Sequence, residues 1–231
     1  MDTNHSGIIC PKCKFSSPIF KSLDLDQLKF LQDISYEVTF QSGETIFKQG
    51  TALTHIICIS SGSSKLYVEY TNNKRLNINL LLPSDIAGVS GINTDFKHHF
   101  SLSAIEATTT CFIEVSAFLK IIHQNVGFAN ATIGYINMKH NRLYDKLMSL
   151  TQKNLNGKVA EMLLYLSKEV YGSSKFEAKL SRQDFADMAV ASRESITRIF
   201  KDFKEQNIIE CKENHFEIIQ PDLLEKISNF G

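Results

Sequence analysis

Residues 180–201, Leu180-Ser181-Arg182-Gln183-Asp184-Phe185-Ala186-Asp187-Met188-Ala189-Val190-Ala191-Ser192-Arg193-Glu194-Ser195-Ile196-Thr197-Arg198-Ile199-Phe200-Lys201, decide the fold. They read as two short helices joined by a tight turn. In the second helix Ile196, Ile199, Phe200 and Phe203 recur at helical spacing and form a core-facing stripe. Arg193, Glu194, Thr197, Arg198 and Lys201 fall on the opposite face. Two arginines, a carboxylate and a hydroxyl on an exposed helix face suit the edges of base pairs. Arg can make paired hydrogen bonds to guanine, and Glu can accept from the cytosine amino group. Ser181 can cap the first helix, with Asp184 three residues on. Ser192 can cap the second and place Glu194 in a first turn, where the helix dipole favours negative charge. Ala186 is small where the two helices must approach closely. A charged face alone fits a merely solvated helix. Caps, small residue, turn and apolar stripe together make a helix-turn-helix with a recognition helix.

The segment Ser192-Arg193-Glu194-Ser195-Ile196-Thr197-Arg198 resembles the recognition-helix motif S-R-E-[ST]-[IV]-x-R of the Crp/Fnr transcription regulators. That family includes the catabolite activator protein and the oxygen-sensing fumarate-nitrate reduction regulator. The resemblance implies that Arg193, Glu194 and Arg198, with Thr197 beside them, contact bases. Ser181, Arg182, Ser192 and Lys201 are the candidate contacts to the DNA backbone. The implied partners are double-stranded DNA, a second copy of the chain and RNA polymerase, and no enzymatic activity is implied. The two arginines around Glu194 resemble the catabolite-activator reading head, which implies a half-site similar to TGTGA. Val190 departs from the pattern, because the turn more often has Gly. A β-branched residue is poor at positive φ, so a slightly different turn is expected.

A chain of 231 residues is enough for one large or two modest domains, and 43% apolar content is ordinary for a globular protein. No apolar run is long enough to span a bilayer. The first residues, MDTNHSGIICPKCK, lack the basic start and apolar stretch of a secretory signal, so a cytoplasmic protein is expected. A formal net charge of +0 argues against non-specific nucleic-acid affinity as the main activity, so DNA contact must come from a local patch. Five cysteines, odd in number and unevenly spaced, do not read as a disulfide framework.

Outward from the helix-turn-helix, residues 207–219 read as a β-hairpin with its turn near Glu213-Asn214, a wing more acidic than a strong phosphate contact would want. Lys158–Val170 reads as a helix, and residues 171–175 as a loop. Residues 117–155 have helical periodicity. Within them Ala129, Ile133, Ile136, His140, Leu143, Leu147 and Leu150 follow at alternating steps of four and three, a heptad seam of the kind that joins two helices. The stripe could instead pack on its own sensor domain, or do both. In the family this helix forms the dimer axis, which implies a homodimer.

Residues 36–116 change character. Tyr36–Phe40, Thr45–Phe47, His55–Ser60, Ser64–Tyr70, Leu76–Leu82 and Thr110–Glu114 are rich in β-branched and aromatic residues, with Gly, Ser and Asn between them. Many short strands suggest a sandwich or barrel. Gly43-Glu44-Thr45-Ile46-Phe47-Lys48-Gln49-Gly50 and Ser61-Gly62-Ser63-Ser64-Lys65-Leu66-Tyr67 resemble the family's sensor domain. The expected fold is α+β. An N-terminal segment with C-x-x-C (1–20) precedes a cyclic-nucleotide-binding-like β-roll, or jelly roll (21–120). A long dimerisation helix (121–155) and a winged helix-turn-helix (156–231) follow.

Cyclic-nucleotide sensors of the family carry Gly-Glu before a short phosphate-binding turn, then Arg-Ser. The matching stretches here are Ser84-Asp85-Ile86-Ala87-Gly88 and Phe100-Ser101, so the glutamate place resembles Ile86 or Ala87 and Phe100 replaces the arginine. The Thr-Ser pair on the long helix resembles Leu143-Tyr144. Phe100, Ser101, Leu143 and Tyr144 are thus the candidate effector-pocket residues. Without the phosphate counter-charge, cyclic AMP is not expected to bind. The oxygen-sensing branch implies an alternative: Cys10, Cys13 and Cys111 resemble part of an iron–sulfur or metal ligand set. A cluster needs four ligands, and Ile19 stands near the place of the missing one. A buried Cys111 is more simply a small core residue. Two further classes are a cyclic-nucleotide-responsive module outside transcription and a cupin-like enzyme. The second lacks converging ligands beyond His98 and His99.

Overall fold

A computed structural model describes residues 17–70 and 74–231 of the chain. Cys10 and Cys13 lie outside the described residues. These form two compact units: one of the residues up to Val68 with Asn79–Asn141, the other of Glu69–Ile78 with Arg142–Gly231.

In the first unit a 3₁₀ turn (Pro18–Ser22) leads into α1 (Leu25–Ile34). Asp24 begins α1 with a reciprocal capping box with Gln27, and Leu28 and Leu31 face inward. Then come β1 (Tyr36–Phe40), β2 (Thr45–Phe47), β3 (His55–Ser61), β4 (Ser64–Glu69), β5 (Arg75–Leu81, whose residues up to Ile78 belong to the second unit), β6 (Ile86–Ala87), β7 (Ser101–Ala104) and β8 (Thr108–Glu114). They make two four-stranded sheets, ordered β1-β8-β3-β6 and β2-β7-β4-β5. The β3–β4 turn depends on Gly62, at φ +76, where an added Cβ would lie 2.3 Å from the Ala107 carbonyl oxygen.

Alternation along β3 and β8 serves two cores. Ile57 and Ile59 join Leu81, Ala87 and Leu102 in one. Ile56, Cys58, Cys111 and Ile113 join Leu28, Leu31, Phe118, Ile121, Phe128 and Tyr135 from the helices in the other. Strands β6 and β7 were not expected from the sequence. In β7, Ser-Leu-Ser-Ala alternates over only four residues and carries no β-branched or aromatic side chain. Pairing with β2 on one side and β4 on the other makes it a strand.

The helical stretch expected over 117–155 is two helices, α2 (Val115–Gln124) and α3 (Val126–Gln152). The long helix therefore starts at Val126 rather than at 121. Asn125 breaks it in an extended conformation, φ −131 and ψ 102. Its Oδ1 accepts from Phe128 N at 2.9 Å, and its Nδ2 donates to Ser22 O at 3.0 Å and Gln27 Oε1 at 2.8 Å. Apolar residues recur through the break, so periodicity alone does not reveal it.

The second unit holds α4 (Leu155–Tyr165), continued by a π-helical turn at Leu166–Val170. After it come β9 (Lys175–Glu177), α5 (Arg182–Ala189), α6 (Arg193–Glu205), β10 (Ile209–Lys212), β11 (His215–Ile218) and α7 (Pro221–Phe230). The small sheet runs β10-β11-β9, so the expected loop ends in a strand that β11 recruits. Phe176, Phe185, Phe200 and Phe216 stack into one aromatic core between wing and helices. Among the described residues no helix is long and apolar enough to cross a membrane.

Candidate nucleic-acid interface and sensor site

Two capped helices build the interface. Ser181 Oγ accepts from Asp184 N at 3.2 Å, and Asp184 Oδ2 accepts from Ser181 N at 2.9 Å. This is the capping box the sequence suggested for α5. In the same unit Asn77 Nδ2 donates to Asp184 O at 3.1 Å, holding the first turn of α5 from β5. The helix ends in Val190, at φ 54 and ψ 53, so the β-branched residue takes the left-handed conformation that glycine adopts readily. The N–H of Ala191 returns to Ala186 O at 3.0 Å.

Ser192 Oγ then accepts from Ser195 N at 3.1 Å and starts α6. Ile196, Ile199, Phe200 and Phe203 are buried, with Ala186 fully buried at the crossing. Arg193, Glu194, Thr197, Arg198 and Lys201 are all exposed on the other side. Hydrogen bonds from its own backbone N–H and from Ser192 hold the Glu194 carboxyl below its ordinary value, so it is an anionic acceptor at neutral pH. Thr197 Oγ1 donates to Arg193 O at 2.9 Å. Lys201 Nζ lies 3.6 Å from Glu205.

Arg182 differs from expectation. Its guanidinium donates to Glu213 O and, at 3.4 Å, to Asn214 Oδ1, and it lies over the rings of Phe185, Phe200 and Phe216. It braces the two-residue wing turn against the helices, and a phosphate contact would have to compete with those bonds. Sequence reasoning missed this because an arginine in a first helical turn carries no mark of its long-range partner. The wing itself has the expected turn, with Glu213 at φ 53.

The sensor candidates do not fall in one unit. Phe100 and Ser101 belong to the first, Leu143 and Tyr144 to the second. Ser101 is buried, and its Oγ accepts from Gln49 N at 3.0 Å. Nearby, His98 stacks on Phe47 with centroids 3.8 Å apart. Burial, with His99 adding to it, pulls the His98 imidazole down to about 4, so it is neutral at neutral pH. Ile86 and Ala87 form buried β6, and Gly88, at φ +96, opens a 3₁₀ turn over Val89–Gly91. Ile86, Ala87 and the Val89 that follows Gly88 are all apolar and buried. The nearby carboxylate, Asp85, is engaged by Lys139 Nζ at 2.5 Å and Tyr135 Oη at 3.2 Å.

Cys111 stands opposite Cys58 across β3 and β8, in the core. Among the described residues no group of three or more His, Cys, Asp or Glu is placed to hold a metal ion. Along α3, Phe128, Thr132 and Tyr135 are buried. The heptad residues Ile133 and Leu147 stay 56% and 57% exposed, His140 is exposed, and Ala129, Ile136, Leu143 and Leu150 are half-buried.

A β-roll followed by a winged helix-turn-helix with an exposed arginine-rich face defines a DNA-binding regulator with a sensor domain. Residues 157–227 match the family model of the Crp-like helix-turn-helix domain, and residues 37–125 that of the cyclic nucleotide-binding domain. The chain is 24% identical over 228 residues to the nitrogen fixation regulation protein FixK of Bradyrhizobium diazoefficiens, covering 96% of this chain and 95% of that protein. It is 23% identical over 210 residues to the fumarate nitrate reduction regulatory protein of Klebsiella oxytoca, covering 89% and 82%. The solved structure of FixK2 from Bradyrhizobium japonicum superposes with a TM-score of 0.78 at 17% identity, over 84% of this chain and 97% of that one. The chain belongs to the Crp/Fnr family and is a DNA-binding transcription regulator of that type.

Proposed function

We propose that the protein works in the cytoplasm as a homodimer that binds a palindromic DNA site and engages RNA polymerase, and that it performs no catalysis. The observation that carries this reading is the exposed face of α6. There two arginines, an ionised carboxylate and a threonine share one side of a helix whose other side is locked in an aromatic core. Arg193, Glu194, Thr197 and Arg198 read bases, while Ser181, Ser192 and Lys201 contact the DNA backbone. Arg182 acts through the wing it braces. The α3 seam supports dimerisation: large apolar side chains at heptad spacing remain exposed in a single chain, as a partner helix would require.

The β-roll senses a signal other than a cyclic nucleotide. Phe100 stands where a phosphate-binding arginine is expected, Ile86 or Ala87 where a ribose-binding glutamate is, and His98, two positions before Phe100, is neutral. A buried phosphate without a counter-charge is expensive. No iron–sulfur cluster or metal is assigned to Cys10, Cys13 and Cys111, since Cys111 serves the core. Gel-shift with random promoter fragments, beside a nucleotide-binding screen, tests the reading. Absorption spectroscopy and native mass spectrometry of anaerobically purified protein would detect any iron or bound metabolite.

A further inference from the structure

The C-terminal end of α5 is held from outside the helix-turn-helix. The last carbonyls of a helix lack partners within it and carry the negative end of its dipole. At this end the N–H groups of Val190 and Ala191 both return to Ala186 O. Lys146, on α3 in the same compact unit, donates from Nζ to Met188 O at 2.7 Å. Its side chain is half-buried. Glu161 and Lys158 on α4 are the charged groups that face it. Glu161 is itself shared with the Ser149 hydroxyl and with Lys153 Nζ, the latter at 3.5 Å. Desolvation dominates and pulls the ammonium down to about 8, with Glu161 opposing and Lys158 adding to it. An apolar side chain of the same length would fill this place without the cost of desolvating a charge. The charge is placed instead at a helix end whose next residue, Val190, is in the left-handed region.

We propose that Lys146 is a positioning residue for DNA recognition: its ammonium clamps the C-terminal end of α5 and the Val190 turn, and so sets the angle at which α6 is presented. It touches no DNA itself. The proposal rests on α6 as the base-reading helix. Below about pH 8 the clamp is a charged donor on a helix dipole; above it, a neutral amine donates more weakly and the charge–dipole attraction is gone.

The test uses the full chain and an operator recovered by selection from random DNA, with affinity read by fluorescence anisotropy at fixed salt. Lys146→Met keeps length and helix propensity and removes the charge. It is expected to bind about tenfold more weakly near neutral pH, with circular dichroism and sedimentation unchanged. Lys146→Gln, which keeps a neutral donor, carries the same test if the first variant does not fold. The ratio of wild-type to variant affinity should be constant below about pH 7, fall through about pH 8 and level off at a smaller value by about pH 9.5. Shared effects of pH on the phosphate contacts cancel in that ratio. A ratio that stays flat across the range, or variants that bind like wild type, overturns the proposal. Arg198→Ala serves as the separate control. Unchanged base preference there removes the reading of α6 itself, whereas a shifted preference with a flat Lys146 ratio removes only the clamp.

Discussion

Val190 is a β-branched residue at φ 54 and ψ 53, in the turn on which the recognition helix depends. The left-handed region costs an L-residue roughly 1–2 kcal/mol, and glycine almost nothing. Glycine brings a larger loss of chain entropy on folding, roughly 0.5–1 kcal/mol against alanine. Val190→Ala and Val190→Gly both remove the γ-methyls of a side chain that is 63% exposed, so their difference isolates the backbone contribution. Relief less entropy leaves glycine about 0.5–1 kcal/mol more stable than alanine here, the reverse of their order in an ordinary helix. In a chain of this size that is a difference in Tm of roughly 1–4 °C. Differential scanning calorimetry of the two variants reads it, and base preference on DNA should be the same for both. If the alanine variant is as stable as the glycine variant or more so, the turn is not in the left-handed region and the account of α5 ending at Ala189 fails.

Ser192→Ala should remove the cap on α6 and cost roughly 0.5–2 kcal/mol, seen as a lower denaturant midpoint at unchanged slope. Leu147→Asp places two charges at the proposed seam and should dissociate the dimer; a dimer persisting at full strength in ultracentrifugation would refute the seam. Titration calorimetry should find no sub-micromolar cyclic-AMP site, and finding one would demand a cation in the pocket other than the arginine that Phe100 replaces.

Local chemistry made the C-terminal half legible. Ser181, Asp184 and Ser192 announce two helix starts, and the stripe from Ile196 to Phe203 sets which face of α6 is buried. None of these depends on a distant partner. The misses share a cause in long-range contact. Strands β7 and β9 exist because β2, β4 and β11 pair with them, and their own residues carry little strand signal. The break at Asn125 depends on Ser22 and Gln27, about a hundred positions away in the chain. Arg182 reads as a DNA-backbone contact until its partner at Asn214 is known, and Lys146 carries no mark in the sequence of its bond to Met188. The sensor was legible chiefly through what it lacks, because an effector pocket is assembled from residues whose chemistry is ordinary one at a time.

The central claim is that α6 reads DNA sequence through Arg193, Glu194 and Arg198. Selection from a random DNA pool, run in parallel with wild type and Arg198→Ala, tests it most directly. Wild type should return a two-fold palindrome with half-sites about 10 bp apart centre to centre and similar to TGTGA, guanines facing the arginines. Arg198→Ala should lose ~1–3 kcal/mol on the best site and relax preference at one position of each half-site. A consensus without two-fold symmetry, or a variant that selects the same bases as wild type, would contradict the claim.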